Sequence, residues 1–490
     1  MNSSNKKVIS HASIYLLGSI LQRCISFIML PIYTRCLTPA DYGTIELLSM
    51  VLDFVGIILG LRVGQAIFRF YEKYDNIQDK NEVITTSLYL VALLNLLGIF
   101  LIVLSAKPLT YFVFGDYDNV LFLILFSFTL LGQGFMEIPM TFLRAQQKPW
   151  LYIAFSVLKL ALQLGLNIYF VVVRDLHVAG VIYSALLSSA TMVIILGGYT
   201  FTHTGWRASA VKAKQLVSFS IPLVLTGMIS FYITFGDRYF LRLLGSLAEV
   251  GVYSLGYRFG FLLTFIVGGP FFNIWDSEKY KISRKETARE EYRIIFISYN
   301  IVIFLVVVGI SVFVKDLLKI MSAPAFWPAA NIVPIVLTAY VFNIWMAFGN
   351  LGVLLKERTI EFTYGTLIAA AVVTAACLVL IPRFGAMGAA WASLLAFGTR
   401  FVWVYWRSKR LYDMGLAWKP IGVLVLVGIV AISLSYRTPD DLLVSMCLNT
   451  AIFVISCLSL LTIPGIIPVQ YRRRVMSIIK NPRYILNPRH

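Results

Sequence analysis

Fourteen stretches of about 20 mostly apolar residues follow one another along this chain, and they constrain its fold more than any motif does. A helix that crosses ~30 Å of hydrocarbon needs about 20 such residues. The runs fall at roughly 11–33, 44–66, 83–104, 119–140, 150–173, 178–200, 216–237, 250–272, 293–314, 328–352, 360–381, 386–406, 419–436 and 441–463. Two pairs are separated by short breaks, one at Arg174–Asp175 and the other at Pro382–Arg383–Phe384–Gly385. The first run is long, is interrupted by Arg23 and lacks a small-residue cleavage site, so it reads as a span and not as a removed signal. Composition agrees: 59% of the 490 residues are hydrophobic, 13% are charged, and the mean hydropathy is +0.80. A soluble domain averages about 45–50% apolar and about 25% charged residues. The sequence therefore predicts an all-α integral membrane protein and excludes a disulfide scaffold. Its five cysteines lie mostly in apolar stretches with no metal-ligand spacing and read as small buried hydrophobes.

The net charge of +18 follows the membrane topology. With the N-terminus inside, the inner segments hold 28 Lys/Arg and the outer loops 9, and the inside carries +16 of the total. That bias places both termini in the cytoplasm. The surplus is a topology signal and not a nucleic-acid footprint. The basic tail at Arg472–Arg473–Arg474 also suits anionic lipid headgroups. All loops are short, and no soluble domain is expected.

The chain repeats itself at a constant offset. Gly245–Ser246–Leu247–Ala248–Glu249–Val250–Gly251 echoes Leu37–Thr38–Pro39–Ala40–Asp41–Tyr42–Gly43 at an offset of 208. Lys356 meets Lys148, Gly388 meets Gly180, and Leu394–Leu395 meets Leu186–Leu187 at the same offset of 208. A six-span unit is even, so its copies cross the membrane in the same sense. This predicts two parallel six-helix lobes, 1–214 and 215–410, related by an axis along the membrane normal, with two extra helices and a basic tail in 411–490. A substrate site between rocking lobes is the expectation for such a repeat.

Nine charges fall within the apolar runs, and each costs at least ~2.5–3.5 kcal/mol at a bilayer centre. The cations are Arg23, Arg62, Lys159, Arg258 and Arg400, and the acids are Glu46, Asp53, Glu137 and Asp237. A cationic cavity for an anionic substrate explains Arg23 and Arg258 best, because guanidinium donates paired hydrogen bonds to phosphate. Lys159, Arg62 and Arg400 fit the same cavity, although Arg62 and Arg400 can also snorkel to an interface. Asp53, deep in its run, reads as an ion-coupling site or as the partner of Arg23, with pairing favoured. Glu46, Glu137 and Asp237 lie near run ends and read as structural. Pro31, Pro139, Pro222, Pro270 and Pro334 lie in or beside runs, where proline bends helices.

The sequence contains no P-loop, no HExxH and no GxSxG, and its four histidines are scattered. Asp116–Tyr117–Asp118 is a DxD string in a short outer loop and reads as loop chemistry. No catalytic residue, cofactor or metal is expected.

The run of Leu30–Pro31–Ile32–Tyr33–Thr34–Arg35–Cys36–Leu37–Thr38–Pro39–Ala40–Asp41–Tyr42–Gly43 resembles the opening of polysaccharide-unit flippases, the Wzx or polysaccharide transporter family of the MOP superfamily. Leu143–Arg144–Ala145–Gln146–Gln147–Lys148, Val178–Ala179–Gly180, Asp237–Arg238, Val250–Gly251–Val252–Tyr253 and Phe384–Gly385–Ala386–Met387–Gly388–Ala389–Ala390 extend the resemblance in order, over about residues 10–410. It implies a MOP/MATE-like fold of about 14 transmembrane helices. It also implies export of an undecaprenyl-diphosphate-linked oligosaccharide, for O-antigen, capsule or exopolysaccharide, from the cytoplasmic to the outer leaflet of a bacterial inner membrane. Alternating access through a cationic central cavity comes with it, as do a polysaccharide polymerase and chain-length machinery as partners. Arg23 and Arg258 match that pattern by helix and depth; Arg62, Lys159 and Arg400 match it loosely. The alternative is a MATE-type multidrug exporter, which binds cations and favours acidic cavities. Five in-run cations against four acids favour the flippase. A membrane glycosyltransferase, polymerase or ligase would need a long outer loop that the sequence lacks.

Overall fold

The computed structural model describes residues 29–60 and 63–462. Every regular element among them is helical. In chain order the first are Pro39–Leu59 (α1), Val63–Lys73 (α2), Ile77–Leu104 (α3), Ala106–Phe114 (α4), Val120–Ser127 (α5), Thr129–Ala145 (α6), Pro149–Asn167 (α7), His177–Thr204 (α8), Ala210–Leu244 (α9) and Leu247–Leu263 (α10). Gly269–Ile282 (α11), Ala288–Met321 (α12), Ala329–Gly349 (α13), Leu351–Leu355 (α14), Ile360–Leu411 (α15), Trp418–Ser435 (α16) and Leu442–Thr462 (α17) follow. Among the described residues, 12 helical runs are long and apolar enough to cross a membrane. The longest, α15, has 52 residues and is two helices joined at Gly385, whose φ of 53° breaks the helical path. The runs read from sequence, from the second to the fourteenth, all have a counterpart here. The first, with Arg23, lies mostly outside the described residues. The chain is an all-α, multi-pass membrane protein.

It packs as two compact units. One extends to Ser254 and takes in Met321–Ala325; the other comprises Leu255–Ile320 and the chain from Phe326 onward.

In the first unit the sequence repeat acquires a physical meaning. Thr38 caps α1: its hydroxyl accepts from Asp41 N at 3.1 Å while the Asp41 carboxylate accepts from Thr38 N at 3.0 Å. Ser246 and Glu249 make the same reciprocal pair at the start of α10, at 3.2 and 3.1 Å. Each box satisfies two otherwise orphaned backbone donors. The two capped helices then meet through glycines. A Cβ on Gly43 would run into the Leu247 carbonyl oxygen, and a Cβ on Gly251 into the Pro39 carbonyl oxygen. Pro39 pairs with Leu247, and Gly43 with Gly251, at the repeat offset of 208. The contact is thus reciprocal and locally two-fold, and only glycine permits it.

Nearby, α2 lays Val63, Ala66, Ile67 and Tyr71 against Ile84, Leu88 and Val91 of α3 and Ile138 and Phe142 of α6. Lys212 of α9 is buried and pairs with Asp79 at 2.9 Å and with Glu82. The α6–α7 turn closes with Gln147 at a φ of 56° and a Lys148 N–H bond to Leu143 O of 2.9 Å. In the second unit, Glu357 (φ 54°) and an Arg358 N–H bond to Val353 O of 2.9 Å build the same turn after α14. Such left-handed closures satisfy the last carbonyls of a helix.

The second unit is cemented by aromatic rings and two polar ties. Trp345 Nε1 donates to Asn300 Oδ1 at 2.7 Å, and Asn300 Nδ2 donates to Phe296 O at 2.8 Å. Toward the end of α12, buried Asp316 accepts from Ser445 Oγ at 2.7 Å and from Asn449 Nδ2 at 2.6 Å, which fixes α17 to α12. Outside the spans, Asp440 receives Lys319 at 3.1 Å and Lys315 at 3.3 Å, and these ammonium groups hold its carboxyl below the usual carboxylate range.

Candidate functional site

Polar side chains exposed midway along apolar helices mark where a membrane bundle admits water. Within the first unit they converge on one cavity of about 420 Å³. Asp53 of α1, Gln65 of α2, and Gln133 and Glu137 of α6 supply its polar wall, and Phe231 and Phe235 of α9 its apolar one.

The local sequence explains this convergence. Gln133 and Glu137 stand one helical turn apart, so they share a face. Ile138, the next residue, rotates onto the opposing core with α2 and α3. Glycines make the space: a Cβ on Gly56 would lie 3.2 Å from Gln133 Oε1, and one on Gly64 would strike Glu137. Amphipathic α2 buries Val63, Ala66 and Ile67 and leaves Gln65 exposed to the cavity. On α9, Phe231 and Phe235 are again one turn apart and stack at 4.8 Å, and Phe54 of α1 extends that wall at 5.6 Å from Phe231. Among the described residues, neither the Gln65 nor the Gln133 amide has a hydrogen-bond partner, so both are available to a guest.

Of the residues singled out from sequence, Asp53 and Glu137 line this cavity. Arg23 and Arg62 lie outside the described residues. Lys159 sits half-buried on α7 and is not part of the lining. Arg258 is half-buried on α10 and Arg400 on the second arm of α15, and both belong to the second unit. The Arg400 Nε is buried and has no hydrogen-bond partner among the described residues. The described lining therefore carries two carboxylates, two amides and no cation. Sequence reasoning missed Gln65 and Gln133, and Glu137, read as structural, also lines the cavity. The face shared by Gln133 and Glu137 was the available signal.

Asp237 behaves as expected of a structural acid. It is fully buried, pairs with Arg238 at 3.3 Å and accepts from the Tyr253 hydroxyl. Arg238 also donates to Ser254 Oγ at 3.3 Å and lies 4.9 Å above the Phe235 ring. This network joins α9 to α10 directly behind the aromatic wall. The DxD string is a loop anchor: Arg242 donates to Phe114 O and lies 3.8 Å from Asp116.

The fold is shared with solved membrane transporters. It superposes on "Lipid II flippase MurJ, inward closed conformation" with a TM-score of 0.73 at 10% identity, covering 90% of this chain and 97% of that one. It also matches an inward-facing multidrug resistance MATE transporter (TM-score 0.59, 16% identity, 80% and 95% covered). A MOP superfamily transporter from Pyrococcus furiosus, titled for the reverse polarity of its binding pocket, matches with a TM-score of 0.51 at 15% identity, with 84% and 97% covered. No curated protein matches the sequence. The sequence profile described as "Polysaccharide biosynthesis protein" matches residues 8–272, more than half of the chain, and the chain belongs to that family.

Proposed function

We propose that this protein is a flippase for undecaprenyl-diphosphate-linked oligosaccharide repeat units, carrying them from the cytoplasmic to the outer leaflet of a bacterial inner membrane. The family match over residues 8–272 carries this reading, and the fold shared with a lipid II flippase supports it. Physical logic runs the same way. A diphosphate with sugars is costly to pull through hydrocarbon, so it needs a wet, polar passage. The cavity in the first unit shows that this bundle keeps polar groups exposed at depth.

In this proposal Arg23 and Arg258 bind the diphosphate by charge-assisted bonds, with Lys159, Arg62 and Arg400 as further cavity cations. Asp53 pairs with Arg23 or holds a coupling ion. Alternating access involves an N-lobe (1–214) and a C-lobe (215–410), with 411–490 as an appended hairpin and tail. Both termini lie in the cytoplasm, as the Lys/Arg bias indicates. The protein performs no covalent chemistry and needs no cofactor. Its product, intended for O-antigen, capsule or exopolysaccharide, passes to a polymerase and chain-length machinery. Arg23→Ala is expected to abolish surface glycan without loss of the protein, and Arg23→Lys to retain part of it. Normal surface glycan with Arg23→Ala would refute the assignment. The acidic lining is the one observation that favours a cation exporter of the MATE type. Efflux of a cationic dye by the purified chain, with no glycolipid movement, would establish that alternative.

A further inference from the structure

Arg69 and Lys73 of α2 stand one helical turn apart and carry charge that no carboxylate offsets. Neither has an ion pair among the described residues, and the stretches 1–28, 61–62 and 463–490 contain no Asp or Glu. The α3 acids nearby, Asp79 and Glu82, are taken by Lys212. Exposed Glu72 and Asp75 pair with neither cation. Both cations rest on aromatic rings instead. Arg69 lies 5.0 Å from the centre of the Phe219 ring, and Lys73 lies 5.9 and 5.8 Å from those of Phe70 and Tyr74. Phe70 meets Phe219 edge-on at 6.1 Å, and the Tyr74 hydroxyl donates to Gln215 Oε1 at 3.3 Å. The rings therefore form one wall from α2 to α9. Such a wall orients the two long side chains without neutralising them. The core claims Val63, Ala66, Ile67 and Tyr71 of α2, which leaves Arg69 and Lys73 exposed.

Depth identifies the occupant. The apolar run that enters α2 ends near 66, so Arg69 and Lys73 lie about 5 and 10 Å beyond it along the helix. On α9 the run begins near 216, with Gln215 just outside it and Phe219 just within. The cations thus stand at headgroup level and the Phe219 ring at the top of the acyl chains. We propose that Arg69 and Lys73, set on the wall of Phe70, Tyr74 and Phe219, bind the phosphodiester of an anionic glycerophospholipid of the bilayer. The guanidinium and the ammonium donate charge-assisted bonds to the phosphate, and the first acyl carbons lie against Phe219. The chemistry is independent of the flippase reading. Placing the lipid in the inner leaflet rests on the Lys/Arg bias, which puts this end of α2 on the cytoplasmic side.

Native mass spectrometry of the purified full-length protein, titrated with phosphatidylglycerol or phosphatidylcholine, tests this. The wild type is expected to bind phosphatidylglycerol about thirtyfold more tightly, and Arg69→Gln and Lys73→Gln each to lose about fivefold of that preference. Arg69→Lys/Lys73→Arg, which keeps both charges, should retain most of it and guards against simple damage to α2. Phe219→Leu removes the ring under Arg69 and should weaken phosphatidylglycerol about two- to fivefold. Lys281→Gln is the control, because exposed Lys281 already pairs with Glu278 at 2.7 Å, and it should change nothing. Equal binding of the two lipids by the wild type, or a preference that survives Arg69→Gln/Lys73→Gln, would overturn the proposal. An equal loss with Lys281→Gln would do the same, since general surface charge would then explain the binding. Undecaprenyl diphosphate that displaced phosphatidylglycerol from the wild type at equimolar concentration, but not from Arg69→Gln/Lys73→Gln, would make this a substrate contact and refute the bilayer lipid as occupant. In sealed vesicles, a membrane-impermeant thiol reagent that labelled Lys73→Cys above the wild-type background only from the outer side would refute the inner placement and leave the lipid site standing.

Discussion

Gly251→Ala tests the packing of α10 on α1 at a single atom. The added methyl would fall against the Pro39 carbonyl oxygen, 2.8 Å from Pro39 C and 3.1 Å from Gly43 N. An unstrained carbon–oxygen approach is about 3.3 Å or more, so the helices would have to part by more than about 1 Å. All three obstacles are backbone atoms, which cannot rotate aside as a side chain would. Overpacking of this kind costs about 1–3 kcal/mol, and a fixed backbone puts it at or above the upper end. Alanine returns about 1 kcal/mol of helix propensity. The net loss is therefore about 2 kcal/mol, or roughly 4–8 °C in Tm for a unit of this size. Gly43→Ala is expected to match it, because its methyl meets the Leu247 carbonyl in the reciprocal position. Gly165 and Gly198 are internal controls: a Cβ at either meets nothing within 4 Å, so alanine there should leave Tm unchanged or raise it slightly. Thermal melts in detergent, followed by tryptophan fluorescence, give the comparison. If Gly251→Ala melted with Gly198→Ala, the reciprocal crossing would be refuted.

Arg238→Met should lower stability by about 3–5 kcal/mol, because it removes the guanidinium charge that pairs with the fully buried Asp237 carboxylate, and adding Asp237→Asn should restore part of the loss; equal Tm values for the single and double variants would contradict this. Asp316→Ala removes the acceptor shared by Ser445 Oγ and Asn449 Nδ2, which keep only their contacts with Thr438 and with each other, and should cost about 1–3 kcal/mol in all, with faster proteolysis of α17 as the local readout; unchanged cleavage would argue against the tie. Asp440 has its carboxyl pKa depressed by Lys319 and Lys315, so its contribution is complete above the ordinary carboxylate pKa of about 3.9 and is lost as pH falls through the lower folded value. Wild type and Asp440→Asn should therefore differ in Tm at pH 7 and converge in acid; a gap that widened below pH ~4 would have the wrong sign.

The spans were legible because hydropathy is a property of composition, and no alternative pairing of such runs escapes the membrane. The break at Pro382–Gly385 was legible too, and Gly385 carries the left-handed φ that turns α15 back. The repeat was visible as matched letters, but its cause was not. That Gly43 and Gly251 touch each other depends on how α1 and α10 cross, which no single-strand pattern encodes. Asp53 stood out as a charge in an apolar run. Gln65 and Gln133 did not, because a neutral amide barely perturbs hydropathy, and Glu137 was discounted for lying near a run end. The helix α9 extends past the apolar run that ends at 237, as far as Leu244, and Asp237 and Arg238 pair within that extension. The cations were readable as residues out of place, but where each side chain points depends on helix rotation and tertiary pairing, which the sequence leaves unspecified.

The central claim is that this chain carries a lipid-linked glycan across a bilayer. Reconstituted into proteoliposomes with a labelled undecaprenyl-diphosphate oligosaccharide, the wild type should expose the glycan on the far leaflet, and Arg23→Ala and Arg258→Ala should each abolish that movement. Retention of the glycan on its starting leaflet by a folded wild-type protein, with every lipid-linked oligosaccharide offered, would contradict the account.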